Sequence, residues 1–349
     1  MEDMTFAKKL LYSLVVALAA AIVAGITLAL FAEEVRSLLL VLMIVSLVIG
    51  GIVLVLLIAL DSKSKKIKGL AIAGAALVAL IAVFSATIMM LAPKMIFPRS
   101  HDEEAYENLV TLSENKENYL EQVACGDLTG WRLCARNPAP GDKRPVILCF
   151  GGNGQNSSST MEYLINDTSG YFQGLLVEYD FVFFDYPGYG TSAGNPNGDS
   201  LREMALSVFD EVESWSTTSS IVCLGYSIGT GPATYCASQK DADGLVLWAP
   251  YANQYDVYNN YFNVFHGPLK LLVTYKMTSD KYIKDVDCPI LIVASDKDEV
   301  IPYESSRNLF AASTGGSTDF TTVQGIGHND FWSNEDVLSS TVSFVRGVV

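Results

Sequence analysis

The sequence predicts an α/β fold, a mostly parallel sheet with helices on both faces, preceded by three transmembrane helices. Three observations predict it. Long uncharged apolar runs fill the chain before residue 93, short β-rich runs alternate with helical stretches from residue 143 onward, and the charge balance changes between the two parts.

The apolar runs cover residues 10–32, 38–60 and 69–92. Each is longer than the ~20 residues that a helix rising ~1.5 Å per residue needs to cross ~30 Å of hydrocarbon. None has the polar face that a buried helix of a soluble core would show. Residues 1–92 carry seven Lys and Arg against five Asp and Glu, which leaves 16 against 33 for the remainder. So acidic a domain is a poor candidate for binding nucleic acid or for docking by charge on anionic headgroups, and no nucleic-acid partner is expected. The expected organisation is a three-span anchor over 1–92 and a catalytic domain over 93–349, with 93–118 as a tether.

Basic flanks are retained on the cytoplasmic side, and here they alternate. Lys8 and Lys9 precede the first run, the loop 33–36 is acidic on balance, and the loop 61–68 holds four lysines. The expected topology is N-terminus inside and everything after Ala92 outside: an integral protein of the cell membrane with an extracytoplasmic domain. Lys8-Lys9 and the small residues near Ala19 also resemble a signal peptide, whose cleavage would leave the domain on the same side. Of the six cysteines, Cys149 and Cys223 sit in apolar strand-like runs, where cysteine is usually a small buried hydrophobe, and mostly free thiols are expected.

Strands are predicted at 145–150, 181–185, 221–224, 245–248, 289–294 and 320–323, where continuous Val, Ile, Leu and Phe fit burial on both faces. Helices are predicted at 200–214, 229–238, 304–312 and 335–345. Upstream, 119–124 and 131–135 read as antiparallel strands around a Gly126-Asp127 turn.

The sharpest chemical signal is Gly225-Tyr226-Ser227-Ile228-Gly229, between a predicted strand and a predicted helix. A strand turning abruptly into a helix lifts a serine hydroxyl above the sheet edge, and only small residues two before and two after let the chain pass. The following helix start leaves the Ile228 N–H to bind an oxyanion. A hydroxyl needs a base. Of three histidines, His101 lies in the tether and His266 in an insertion, whereas His328 follows the last strand, at the edge where Ser227 points. A carboxylate must orient the imidazole. Asp298 is selected over Asp296 and Glu299, because it stands four residues before Pro302 and keeps the order Ser, Asp, His. The second oxyanion donor is expected from the Gly-rich loop 151–156, at the Asn153 N–H. Scattered histidines without Cys-x-x-Cys or His-Glu-x-x-His give no ligand cluster, so no metal or cofactor is expected.

The run Phe150-Gly-Gly-Asn-Gly-Gln-Asn156, Asp185-Tyr-Pro-Gly-Tyr-Gly-Thr-Ser192, Gly225-Tyr-Ser-Ile-Gly229, Asp298-Glu-Val-Ile-Pro302 and Gly327-His328-Asn-Asp resembles the α/β-hydrolase superfamily. It is most similar to the small-lidded, membrane-anchored serine hydrolases that include acylglycerol and lysophospholipid lipases, depalmitoylases and serine-aminopeptidase-like enzymes. The resemblance covers about 93–349. It implies an α/β-hydrolase fold, with Ser227 as nucleophile, His328 as base, Asp298 as orienter, the Asn153 and Ile228 amides as oxyanion hole, and a short lid at about 251–276. Two positions depart: relatives usually have His-Gly at Gly151-Gly152, and Gly at Ser295.

The expected function is hydrolysis of an acyl ester or thioester through an acyl-enzyme. The aromatics of the insertion, Phe262 and Phe265 among them, would wall a lipid-like acyl chain. A serine aminopeptidase-like peptidase, with Asp256 or Asp280 holding an ammonium, or an acyltransferase, is the alternative within enzymes. A catalytically silent binding module is the alternative outside them. Oligomeric state is left open.

Overall fold

The computed structural model describes residues 96–349 except 116, 118, 137–142, 168–169, 262, 264, 268, 269, 271, 272 and 274, together with residues 51, 73 and 80. Two compact units divide the chain, Met1–Pro93 and Lys94–Val349. The expected spans at 10–32, 38–60 and 69–92 lie outside the described residues apart from those three single positions, and among the described residues no helix is long and apolar enough to cross a membrane.

Among the described residues, eight strands form one sheet in the order β1-β2-β4-β3-β5-β6-β7-β8. They are β1 (Leu120–Cys125), β2 (Leu128–Leu133), β3 (Arg144–Phe150), β4 (Asp180–Phe184), β5 (Thr218–Tyr226), β6 (Gly244–Trp248), β7 (Ile290–Ser295) and β8 (Thr318–Val323). Only β2 runs antiparallel to its neighbours, and the pairs from β4 across to β8 are parallel. The central strands are buried on both faces, as their unbroken apolar runs require: Val146, Ile147 and Leu148 of β3 and Leu245, Val246 and Leu247 of β6 have no exposed surface. Each such side chain contributes about 1.5–3 kcal/mol relative to exposure.

Observed strand ends differ from the predicted ones by up to three residues, with Tyr119, Cys134, Ala135, Asp185 and Pro289 falling outside the strands predicted to hold them. Thr218, Ser219 and Ser220 join β5 because the ladder to β3 continues through polar side chains. Helices connect the parallel strands, with α4 (Gly198–Ser214), α5 (Thr230–Gln239), α8 (Tyr303–Ala312) and α9 (Glu335–Val348) where helical patterns stood. Among the described residues, five further helices were not predicted: α1 (Glu103–Ser113), α2 (Ser157–Asn166), α3 (Tyr171–Glu178), α6 (Gln254–Tyr261) and the single turn α7 (Ser279–Tyr282).

The stretch expected as a tether belongs to the domain. Asp102 caps α1 by accepting from the Ala105 N–H at 3.1 Å, and Ala105 and Leu109 are buried against the body. Ile96 and Phe97 are also buried, with the Phe97 ring edge-on to Tyr275 at 5.1 Å. Hydrophobic contact, which the many charges of 93–118 obscure, fixes this segment. Between β2 and β4, Arg132 donates from Nε to Asp180 at 2.9 Å, and the Ala135 N–H donates to the same carboxylate at 2.7 Å, so a fully buried charge is paired.

The register sets the site. Phe150 pairs with Gly225, so the loop after β3 leaves the sheet beside the turn after β5. Ser295 pairs with Val323, so the loops after β7 and β8 also leave side by side. All four emerge at the carboxyl edge, and the reversal of strand order around β3 opens the crevice there.

Candidate active site

β5 ends at Tyr226 and the next residue, Ser227, has φ of 53°. A left-handed conformation in a non-glycine residue costs about 1–3 kcal/mol and persists only where surroundings enforce it. Two glycines make the turn possible. A Cβ on Gly225 would meet the Gly229 carbonyl and Thr230 Cα, and one on Gly229 would run into the Phe150 and Gly151 carbonyls. The Thr230 hydroxyl donates to the Ser227 carbonyl at 2.7 Å, closing the short 3₁₀ turn Ser227–Gly229 into α5.

His328 opens a 3₁₀ turn beyond β8. Its Nε2 lies 2.8 Å from Ser227 Oγ, and its Nδ1 lies 2.8 and 3.0 Å from the two oxygens of Asp298. A carboxylate can only accept, so Nδ1 carries the ring proton and the Nε2 lone pair faces the hydroxyl. Asp298 is itself held, accepting at Oδ1 from the Val300 and Ile301 N–H groups at 2.8 Å each. Ser227 and His328 are only 4% and 6% exposed, so water competes little for these bonds.

The neighbouring carboxylates have other partners. Asp296 accepts from the Gly325 N–H at 2.7 Å and Glu299 from the His328 N–H at 3.1 Å. The other histidines are elsewhere: the His101 ring contacts Glu103 at 2.6 Å, and the exposed His266 contacts Asn263 at 2.7 Å.

Asn153 and Ile228 line one cavity of about 440 Å³ with Ser227 and His328. The Gly-rich loop is braced by side chains that sequence reasoning did not single out. Gln155 accepts from the Gly152 N–H at 2.7 Å and Tyr186 donates to the Gly151 carbonyl at 2.6 Å, while on the serine turn Tyr251 donates to the Ile228 carbonyl at 3.2 Å. Their signal, a polar residue within a packed aromatic setting, is weak in sequence. The departure at Gly151 also has a reason: a Cβ there would run into the Phe183 ring, leaving no room for an imidazole.

Apolar side chains of Ile96, Val257, Val300, Ile301 and Trp332 supply much of the remaining wall, with the amides of Asn153, Gln155 and Asn329. Among the described residues lining the cavity there is no carboxylate. Asp256 accepts instead from Ser305 and Asn253, and Asp280 lies away from the cavity. The aromatics expected to wall an acyl chain mostly pack internally. Tyr258 and Phe265 meet edge-on at 5.2 Å and both are buried, while the Tyr251 and Tyr275 hydroxyls bond at 2.7 Å. Of the 251–276 segment, Val257 is the described residue that reaches the cavity, and Phe262 lies outside the described residues. Two charge-free rings gain more by excluding water against each other than by facing an open cleft.

All six cysteines are free thiols. Burial pushes the Cys134 and Cys288 thiols up to about 12.

No family model matches the chain. Over 149 residues, 38% of this chain, it is 31% identical to the lysophosphatidylserine lipase ABHD12 of Macaca fascicularis, a match spanning 37% of that protein. The matches to the first curated relatives each span less than half of the relative's length. Among solved structures, Est1E from Butyrivibrio proteoclasticus with bound ferulic acid superposes with a TM-score of 0.53 at 17% identity, covering 65% of this chain and 98% of that one. The Pyrococcus furiosus esterase Pf2001 gives 0.52 at 16% identity, covering 72% and 98%. These likenesses show the fold. By its strand order, its strained serine turn and these likenesses, the chain has the α/β-hydrolase fold.

Proposed function

We propose that this chain is a membrane-anchored serine hydrolase that cleaves an acyl ester or thioester, with a lipid-like substrate favoured. The observation that carries the reading is the unbroken hydrogen-bond chain from Ser227 Oγ through His328 to Asp298, ending in a cavity whose wall mixes apolar side chains with amides and is free of carboxylates among the described residues.

Ser227 Oγ attacks the substrate carbonyl carbon as its proton passes to His328 Nε2. The carbonyl oxygen takes the negative charge, and the Ile228 and Asn153 N–H groups bind it. The tetrahedral intermediate collapses, the alcohol or thiol leaves with the proton from Nε2, and Ser227 holds the acyl group. Water then gives its proton to Nε2, attacks the acyl carbon, and the acid departs as the proton returns to Oγ. Asp298 stays ionised throughout, fixing the ring and stabilising the imidazolium.

The lipid-like preference rests on the cavity wall and on the sequence before it. Ile96, a wall residue, stands four residues beyond Ala92, the end of the last expected span. The named relative is a lipase, which supports the same reading. Residues 1–92 are read as the anchor, with the domain extracytoplasmic and the segment around 251–276 as its lid.

The test is a substrate panel offered to the full chain in detergent or membranes: medium and long acyl esters, thioesters, and unblocked aminoacyl amides. Faster turnover of the acyl esters is expected. Robust amide cleavage with negligible esterase activity would replace this reading with an aminopeptidase. External protease on intact cells should reach the domain, and full protection before permeabilisation would reverse the topology.

A further inference from the structure

The loop after β7, residues 296–301, and the loop after β8, residues 324–330, carry Asp298 and His328, and their alignment decides whether the imidazole meets both its partners. Side-chain-to-backbone bonds join them besides the Asp298–His328 contact. Ser295, at the end of β7 and 1% exposed, donates from Oγ to the Ile326 carbonyl at 2.6 Å and accepts from the Lys297 N–H at 3.0 Å. One hydroxyl therefore ties the residue before Asp298 to the residue two before His328. Glu299, the residue after Asp298, accepts the His328 N–H at 3.1 Å, and its own carbonyl accepts from Asn260 Nδ2 at 2.9 Å. Asp296 adds a bond to the Gly325 N–H at 2.7 Å.

We propose that Ser295 and Glu299 are positioning residues, a two-point clasp that fixes the His328 backbone relative to Asp298 so that Nε2 stays in line with Ser227 Oγ. The proposal rests on the triad reading above. Neither side chain lines the cavity, so neither touches substrate. Their effect passes through the imidazole, where a misplacement near 1 Å costs on the order of 10²-fold in rate.

The experiment uses the full chain with a soluble aryl ester, comparing Ser295→Ala, Glu299→Ala and Glu299→Gln. Ser295→Ala should lower kcat by about 10–100-fold with KM within about twofold. Glu299→Ala should lower kcat by about 3–10-fold, and Glu299→Gln, whose amide oxygen still accepts the His328 N–H, should stay within about twofold of the unaltered protein. Hydrogen exchange across 324–330 should accelerate in the two alanine variants and not in the glutamine variant. Unchanged kcat and exchange in both alanine variants would overturn the clasp, as would an effect confined to KM, or a glutamine variant as impaired as the alanine. Should Ser295→Ala fail to fold, the two Glu299 variants decide, since that side chain is exposed. If the unaltered protein neither hydrolyses the ester nor takes a fluorophosphonate, the triad reading fails instead, and exchange alone still tests the clasp.

Discussion

The Tyr226 ring lies over the His328 imidazole, centroids 5.3 Å apart and planes 27° from parallel, and its hydroxyl donates to the His328 carbonyl at 2.7 Å. The residue before the serine thus holds the histidine, across 102 positions of sequence. Burial foremost, then the charges of Asp298, Glu299 and Asp330, raise the phenol's pKa, so it stays a donor at neutral pH. Tyr226→Phe keeps the stack and loses the bond. It should cost about 1 kcal/mol of stability and lower kcat by less than about tenfold. Tyr226→Ala also opens a cavity, and should cost about 3–5 kcal/mol in a denaturant titration.

Asp298→Asn tests the tautomer. An amide NH₂ facing Nδ1 would favour the proton on Nε2, leaving no base toward Ser227. kcat should fall by about 10⁴-fold, with the thermal midpoint close to that of the unaltered protein. A loss under tenfold in ester turnover would show that Asp298 does not set the ring.

Gly229→Ala tests the strained turn. Its new Cβ would meet backbone carbonyls of Phe150 and Gly151, which cannot rotate away. The destabilisation should exceed about 3 kcal/mol, read by denaturant midpoint, and fluorophosphonate labelling should be lost with it.

What was legible in the sequence follows the physics of each element. The parallel strands were readable because Val, Ile and Leu at β3, β6 and β7 are needed on both faces, which leaves continuous runs. Helix α2 was hidden because three serines open it and its N-cap, Asn156, reads as part of a loop. Helix α3 is short and carries Gly174 in its middle, and α1 buries only Ala105 and Leu109, too little for a strong apolar stripe. Ser227, His328 and Asp298 stood out because their residue types and spacing match the requirements of the proposed triad. Gln155, Ser295 and Glu299 bond backbone groups, which any sequence supplies, so their bracing roles left no pattern to find even where the residue itself was noticed.

The thiols offer a check on burial. Burial holds Cys134 and Cys288 near 12, against an ordinary value of 9.0, so at pH 8 nearly all of each is the unreactive thiol. Native protein should alkylate slowly at both, with the rate rising about tenfold per pH unit until the fold opens. All six cysteines should react in denaturant without reductant. Fewer than six would reveal a disulfide.

The central claim is that Ser227 is the nucleophile, and covalent capture tests it most directly. Full-length protein treated with a fluorophosphonate and digested should carry the adduct on the peptide containing Ser227, by mass spectrometry. Ser227→Ala should fold with an unchanged thermal midpoint, take no label and show no ester turnover. Labelling at another residue, or turnover by Ser227→Ala equal to that of the unaltered protein, would contradict the account.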